Sequence, residues 1–269
     1  MATQPAPSRC FHRQDFERGT GLMNKATIIF GFVAAFLVLG RVFPFAQVTG
    51  FNRVIKNFLL AVPNAILSPL VVVPVSAYAA QWALQWRPEG WSGGAGLVVD
   101  LLLLDVWIYW WHRANHLVPF LWRFHEVHHL DETLDASSAL RFHFGEVFLS
   151  SLVRAAVIFA MAIPLSSVVV FETIVAVATI FHHSNLRLPA SLERPLSYLV
   201  VTPSIHWVHH HALRSDTDSN YSTFLALWDI VFGSRSKTVR NTEMPIGVEG
   251  KRDEGLAALI MRPFLRIGK

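Results

Sequence analysis

Apolar residues fall into long runs along this chain, and polar residues gather in the gaps. Residues 26–40 (ATIIFGFVAAFLVLG) carry no charge, and the run continues past Arg41 to about residue 48. A longer run, 58–84, is interrupted by Pro63, Pro69 and Pro74, and a third occupies 95–111. The fourth, 147–182, is long enough for two passes with a turn at IPLSS, 163–167. A helix needs about 20 apolar residues to cross the hydrocarbon core of a bilayer, where its backbone groups must be satisfied internally. The pattern therefore predicts an all-α integral membrane protein with four to five hydrophobic helices. The three prolines leave two readings of 58–84: a kinked spanning helix, or a re-entrant hairpin buried in protein.

The gaps carry the rest of the organisation. Residues 1–22 read as a disordered polar tail, and Met23 is an equally good start, because MNKATIIFGF opens like a membrane protein. No small-residue cleavage site follows the first run, which argues against a signal peptide. Residues 23–94 then form N-terminal membrane helices, 95–235 a catalytic unit and 236–269 a basic C-terminal tail. The chain shows no second soluble domain and no repeat of 20–50 residues. Its only cysteine, Cys10, lies in the tail, which excludes a disulfide framework and a thiolate metal site.

Composition agrees with the pattern: 52% of residues are hydrophobic and 16% charged. The net charge of +4 matters less than its placement. Arg113, Arg123 and Arg141 follow the third run; Arg235, Lys237, Arg240, Lys251, Arg252, Arg262, Arg266 and Lys269 follow the last. Basic residues flanking membrane helices mark the cytoplasmic face, and juxtamembrane charge is a simpler reading than nucleic-acid binding. A double crossing by 147–182 returns the chain to the side it left, so the two basic regions can meet. Three crossings before residue 112 would place Arg9, Arg13, Arg18 and Lys25 outside, a conflict that re-entrance of 58–84 or a start at Met23 would relieve.

Twelve of the 13 histidines lie between residues 112 and 211. His112 and His116 form HxxxH; His125, His128 and His129 form HxxHH; His206, His209 and His210 repeat it. Positions i, i+3 and i+4 share a helix face, so each triplet can aim three imidazoles at one point. Imidazole suits zinc, copper, iron and nickel, and this many donors exceed what one ion holds. A dimetal site follows, placed in a helical cap on the cytoplasmic face. His112 and His116 sit beside Trp107, Tyr109, Trp110 and Trp111, an aromatic belt that sets them at the membrane surface. Pro203 can open the helix of the last box near Thr202. His211 faces away from His210 and reads as a surface or outer residue. Of the adjacent His182 and His183, His183 is the better ligand, and His182 reads as a core histidine. His143 could hydrogen-bond a ligand. Asp100 and Asp105 interrupt an apolar helix, where acids are paired or functional, and Arg154 is a candidate partner.

Two rival chemistries use the same residues. His125-Glu126-Val127-His128-His129 also satisfies HExxH, the zinc-protease motif in which the glutamate is general base. That reading leaves six box histidines without a role. A metal-transport or metal-sensing protein would need polar residues along a transmembrane path, for which only Asp100, Asp105 and Arg154 offer themselves.

Taken in order, HRANH (112–116), FHEVHH (124–129), HSNLRLP (183–189), TPSIHWVHH (202–210), DSNYS (218–222) and WDIVFGS (228–234) resemble the fatty acid hydroxylase/sterol desaturase superfamily of membrane histidine-box enzymes. The resemblance covers about 95–235. It departs at Ser222, where the family's NYG has glycine, and at Arg141-Phe142-His143-Phe144, which lacks the proline of RxHP. The resemblance implies two iron ions (a diiron centre), O2 as co-substrate and hydroxylation of an unactivated C–H bond in a fatty acyl, sterol or related membrane lipid, or desaturation on the same site. It implies His112, His116, His125, His128, His129, His183, His206, His209 and His210 as metal ligands. His143, His182, Asn185, Asp105, Tyr221 and Asp229 are the candidates for contacts around them. No cytochrome b5-like domain flanks the boxes, so a separate electron donor of cytochrome b5, ferredoxin or reductase type is expected.

Overall fold

The structure, a computed structural model, describes residues 11–48 and 50–265. Helix α1 (Phe11–Val42) is followed by α2 (Phe51–Leu67) and α3 (Val73–Gln81), which a π-helical turn at Ser68–Val72 joins into one unbroken helix. Then come α4 (Gly93–Leu117), α5 (Pro119–His129), α6 (Phe144–Met161) and α7 (Leu165–His183). Five short helices follow: α8 (Ala190–Leu196), α9 (Pro203–His209), α10 (Arg214–Thr217), α11 (Leu227–Val231) and α12 (Leu256–Met261). Among the described residues, strand pairing is limited to isolated bridges, Pro44 with Leu186, Val200 with Leu225 and His211 with Ile246.

Four helices are long and apolar enough to cross a membrane: Phe51–Gln81, Gly93–Leu117, Phe144–Met161 and Leu165–His183, with the shorter apolar Ala26–Val42 beside them. Their outward faces are greasy. Ile55, Leu59, Val62, Ile66, Leu70 and Val73 form one stripe at helical spacing, and Leu70 is 69% exposed. Water would penalise such a stripe, whereas lipid solvates it. Between the helices, Ala79, Leu104, Ile158, Ile163, Val168 and Phe171 make the membrane-level core.

Several expectations change. Of the tail read as disordered, residues 1–10 lie outside the described residues, and the chain is helical from Phe11. An apolar helix propagates into polar residues at little cost once nucleated. The 58–84 run lies in one continuous helix, Phe51–Gln81, long and apolar enough to cross a membrane, and not in a hairpin. Pro69 removes a backbone donor, and the wider π turn absorbs the lost hydrogen bond. At 31 residues, Phe51–Gln81 is about 46 Å long, more than the roughly 30 Å hydrocarbon core. The α6–α7 turn comes slightly earlier than expected, at Ala162–Pro164, with Ala162 left-handed at φ 52° and Ile163 N–H donating to Ile158 O.

The helices alternate in direction. The end of α1 bridges Leu186, just past the end of α7, and the start of α2 meets the loop after α5. Three antiparallel helical segments thus precede His112, of which Phe51–Gln81 and Gly93–Leu117 are long and apolar enough to cross a membrane. The ends of α4 and α7 and the start of α6 share one end of the bundle, and the short helices gather there.

Candidate metal centre

Four helices finish at one place. The last turns of α4, α5, α7 and α9 carry His116, His128 with His129, His182 with His183, and His206 with His209. Each helix C-terminus carries about half a negative charge from its aligned peptide dipoles, so four together favour bound cations. Away from the site these helices bury apolar backs. Val127 and Leu130 of the α5 region pack on Leu60 and Leu259. Trp207 and Val208 of α9 pack on Leu134, Met244 and Ile246. Pro203 opens α9 after Thr202, as its fixed φ favours.

The nine box histidines converge as two buried groups. His112, His116, His125, His129 and His209 form one, and His128, His183, His206 and His210 the other. Within each group one ligand-capable nitrogen per residue lies within 4.8 Å of all the rest. The division corrects the expectation that a triplet aims at one point. In each HxxHH box the i and i+4 rings serve one group and the i+3 ring serves the other. His125 and His129 pair with His209, while His206 and His210 pair with His128. The two boxes thus interlock, and His129 stacks on His210 with ring centroids 4.3 Å apart.

Ring orientation is set from behind. Nδ1–H of His112 donates to Tyr221 O at 2.7 Å, that of His183 to Thr179 O at 2.7 Å and that of His209 to Ser219 O at 2.7 Å. His128 donates to Arg141 O at 3.2 Å, and His125 to the Glu146 carboxylate at 2.9 Å. A donating Nδ1–H leaves the Nε2 lone pair free. Those Nε2 atoms crowd together: His112 and His125 at 3.2 Å, His128 and His183 at 3.1 Å, His206 and His183 at 2.9 Å. Both nitrogens of His116 and His129, and Nε2 of His209, are buried without a hydrogen-bond partner. Burial and then the neighbouring imidazoles hold His128, His129, His206 and His210 well below the usual imidazole range, and burial takes His209 down to about 3. They are neutral, as ligands must be. A buried, all-nitrogen donor set with orphaned lone pairs fits two transition-metal ions.

The remaining candidates sort by contact. His182 belongs to neither group; its ring lies tilted against His206, with centroids 4.0 Å apart, and borders the main cavity. Asp229 accepts from Tyr221 N, Ser222 N and Ser234 Oγ, so it fixes the backbone carbonyl that orients His112. Tyr221 contributes that carbonyl, and its ring lies 5.3 Å from His116. Ser222, where the family has glycine, returns a bond by accepting from Asp229 N. Asp105 accepts from Trp228 Nε1 and Leu225 N, holding the segment before α11 and touching no box histidine. Asn185 makes paired bonds to the Ala46 backbone and locks the α1–α2 connection. His143 accepts from Gly145 N and donates to Ile260 O, so it caps α6 and anchors the C-terminal segment. His211 faces Asp216, outside both groups. Asp100 pairs with Arg87, and Arg154 with Glu172, correcting the expected partnership of Arg154 with the aspartates.

Glu126 decides against the protease motif. Its buried carboxylate carries Arg262 Nε at 2.6 Å and Lys251, on the face of α5 opposite the histidines. No general base at His125 and His129 comes from it. Sequence reasoning missed Glu146, a lone acid with no motif around it, and took Arg141 only as a flanking charge and as the arginine of the RxHP match. Arg141 is wholly buried, bonded to Val127 O, Asn57 and Asp253. The start of α2 completes this support, with Arg53 on Asp131 and Asp135, and Asn57 on Asp131 and Ser137.

A cavity of about 460 Å³ opens from the histidines into the membrane-level bundle. His112, His125, His128, His183 and His206 border its metal end, and Ile108, Val147, Phe171, Val175 and Ile180 its walls.

Comparison with known proteins follows the same residues. The family model described as fatty acid hydroxylase matches residues 97–234. An ornithine lipid hydroxylase of Rhizobium tropici is 26% identical over 201 residues, 75% of this chain and 60% of its own. Alkylglycerol monooxygenase of Danio rerio is 28% identical over 236 residues, 84% of this chain and 51% of its own. A very-long-chain aldehyde decarbonylase of Oryza sativa subsp. indica is 29% identical over 163 residues, 57% of this chain and 25% of its own. The chain thus spans between half and three-fifths of the first two relatives. No solved structure matches it.

Proposed function

The chain belongs to the fatty acid hydroxylase family, and from that premise we propose that it is a membrane diiron oxygenase that hydroxylates an unactivated C–H bond of a lipid. The observation that carries this reading is the pair of interlocked histidine groups at the mouth of an apolar, membrane-level cavity. His112, His116, His125, His129 and His209 would hold one iron, and His128, His183, His206 and His210 the other. Bound iron supplies the O2-dependent oxidising chemistry, with two electrons from a separate donor of cytochrome b5, ferredoxin or reductase type.

The chain's own residues do the rest. The apolar walls admit an acyl or similarly greasy substrate and exclude water, which keeps the oxidising power on the substrate. Tyr221, Thr179, Ser219 and Arg141 carbonyls and the Glu146 carboxylate hold five rings in one tautomer, so their nitrogens need no rearrangement on loading. Asn115 stands on the cavity between His112 and His116 with both side-chain polar atoms buried and unpartnered. It can therefore orient a polar group or water beside the reacting carbon.

The test is metal content of protein purified from iron-supplemented cells, read together with 18O2 incorporation into endogenous lipid. We expect about two irons per chain, with at least one lost in His128→Ala and in His209→Ala, and labelled hydroxylated lipid from wild type only. A single zinc per chain and no label would overturn the reading.

A further inference from the structure

The cavity ends on a charge pair. Along α7 its border runs from His183 back to Phe171 and Glu172, about 16–18 Å at 1.5 Å per residue. At that far end Arg154 of α6 meets Glu172 of α7 at 2.9 Å, and both border the cavity. Ser76 of α3 accepts from Arg154 at 3.4 Å. Arg154 is 9% exposed, and its Nε is buried without a hydrogen-bond partner. The π turn opposite brings Ser68 and Val72 to the same cavity.

These charges are expensive where they stand. Ionisable residues within spanning helices are costly and face a cavity or a functional path. Apolar residues of equal volume hold a bundle together as well as a buried ion pair does, so packing alone does not call for one. We propose that Arg154 and Glu172 bind the polar group of the lipid substrate at membrane depth, and so set which carbon lies at the histidines. The proposal rests on the lipid-oxygenase reading and supplies its substrate class.

The pair also specifies the chemistry of that group. Arg154 presents a donor and Glu172 an acceptor side by side. A group offering both an acceptor and a donor without net charge, an amide or a hydroxyl, satisfies both partners. A carboxylate would meet the like charge of Glu172 in a low-dielectric site. The substrate class is accordingly a long-chain lipid with an amide or hydroxyl roughly 12–16 Å from the reacting carbon, the distance from Glu146 to Arg154 on α6 and from His183 to Glu172 on α7.

The test measures equilibrium binding to metal-free protein in detergent at fixed lipid mole fractions. The probes are hexadecanamide, 1-chlorohexadecane and hexadecanoate. We expect wild type to hold the amide about tenfold or more tightly than the chloroalkane, the scale of hydrogen bonds to charged groups. That ratio should fall to near one in Arg154→Met/Glu172→Leu. Glu172→Gln keeps the shape and removes the acid beside Arg154, so hexadecanoate should gain about tenfold over the amide, which happens only if the polar group of the bound lipid reaches this end of the cavity. If the double variant does not elute as a folded, monodisperse species, the Glu172→Gln gain decides. Equal binding of amide and chloroalkane by wild type, or no gain for hexadecanoate in Glu172→Gln, overturns the proposal. Because these ratios need neither metal nor O2, an intact preference without hydroxylated product sinks only the oxygenase reading. Product without preference sinks only the polar-group site.

Discussion

Every box histidine has two ring nitrogens, and whatever holds one of them decides what the other can do. Glu146 and Glu126 show the consequence, since they lie on opposite sides of α5. Glu146 accepts from His125 Nδ1, whereas Glu126 binds Arg262 and Lys251 and touches no histidine. Removing such an outer partner of a metal ligand typically costs 10–100-fold in metal affinity, so Glu146→Ala should lose iron about that much more readily in chelator titrations. Glu126→Gln should keep its metal. It should instead lose about 3 kcal/mol of stability in thermal or denaturant melts, the low end for breaking a buried pair, because Lys251 is partly exposed. Equal metal loss in both variants would mean that the two acids are not separated as described.

Helices place these residues, and where two elements meet closely the tolerance is small. Gly145 opens α6 against the Phe124 ring of α5, where a Cβ would lie 2.5 Å from the ring. Overpacking of this kind costs about 1–3 kcal/mol, and Gly145→Ala should show that loss together with weakened iron retention. The link is geometric: the shift that relieves the clash separates Glu146 of α6 from His125 of α5. A Gly145→Ala protein with unchanged stability would show that the junction is soft. The same logic explains the unbroken α2–α3 helix. Three prolines left a kinked helix and a re-entrant hairpin both open in sequence; the structure has one continuous helix with a single π turn at Ser68–Val72.

The whole bundle sets sidedness. Lysines and arginines crowd the metal end, while the other end has Arg87, already committed to Asp100, and Arg13, Arg18 and Lys25 in the first turns of α1. The positive-inside rule predicts a cytoplasmic metal end. In a Cys10→Ser background, Val239→Cys should label with an impermeant thiol reagent only from the cytoplasmic side of sided vesicles, and Glu89→Cys only from the other; the reverse pattern would invert the protein. The C-terminal segment clasps this end through Asp253, which pairs with Arg141 and Lys56. Burial raises the Asp253 carboxyl, but bonds and charge from Arg141 and then Lys56 outweigh it and hold the group below the usual carboxylate range. A depressed acid stabilises the fold above its unfolded value and ceases to as pH falls through the folded one. The clasp should therefore resist proteolysis at neutral and mildly acidic pH and open only below about pH 4; opening near pH 6 would contradict this assignment.

Much of the architecture was legible because bilayer and metal each impose a simple period. Runs of about 20 apolar residues can only be buried in lipid as helices, which located 58–84, 95–111 and the double pass 147–182. Spacings of three and four on a helix brought His112 with His116, and His206 with His210, to common faces. What stayed hidden depends on pieces distant in sequence. The splitting of each HxxHH box between two groups follows from how α5 and α9 face each other, which no local spacing encodes. The roles of Glu146, Glu126 and Arg141 depend on which side of α5 each meets, and the partners of Asp100 and Arg154 on which helices adjoin. The sequence by itself determined the helices, the membrane and the donor chemistry, because those are written in local composition and period. Tertiary structure alone decided which nitrogen meets which neighbour and where the cavity ends, because those are distances between elements.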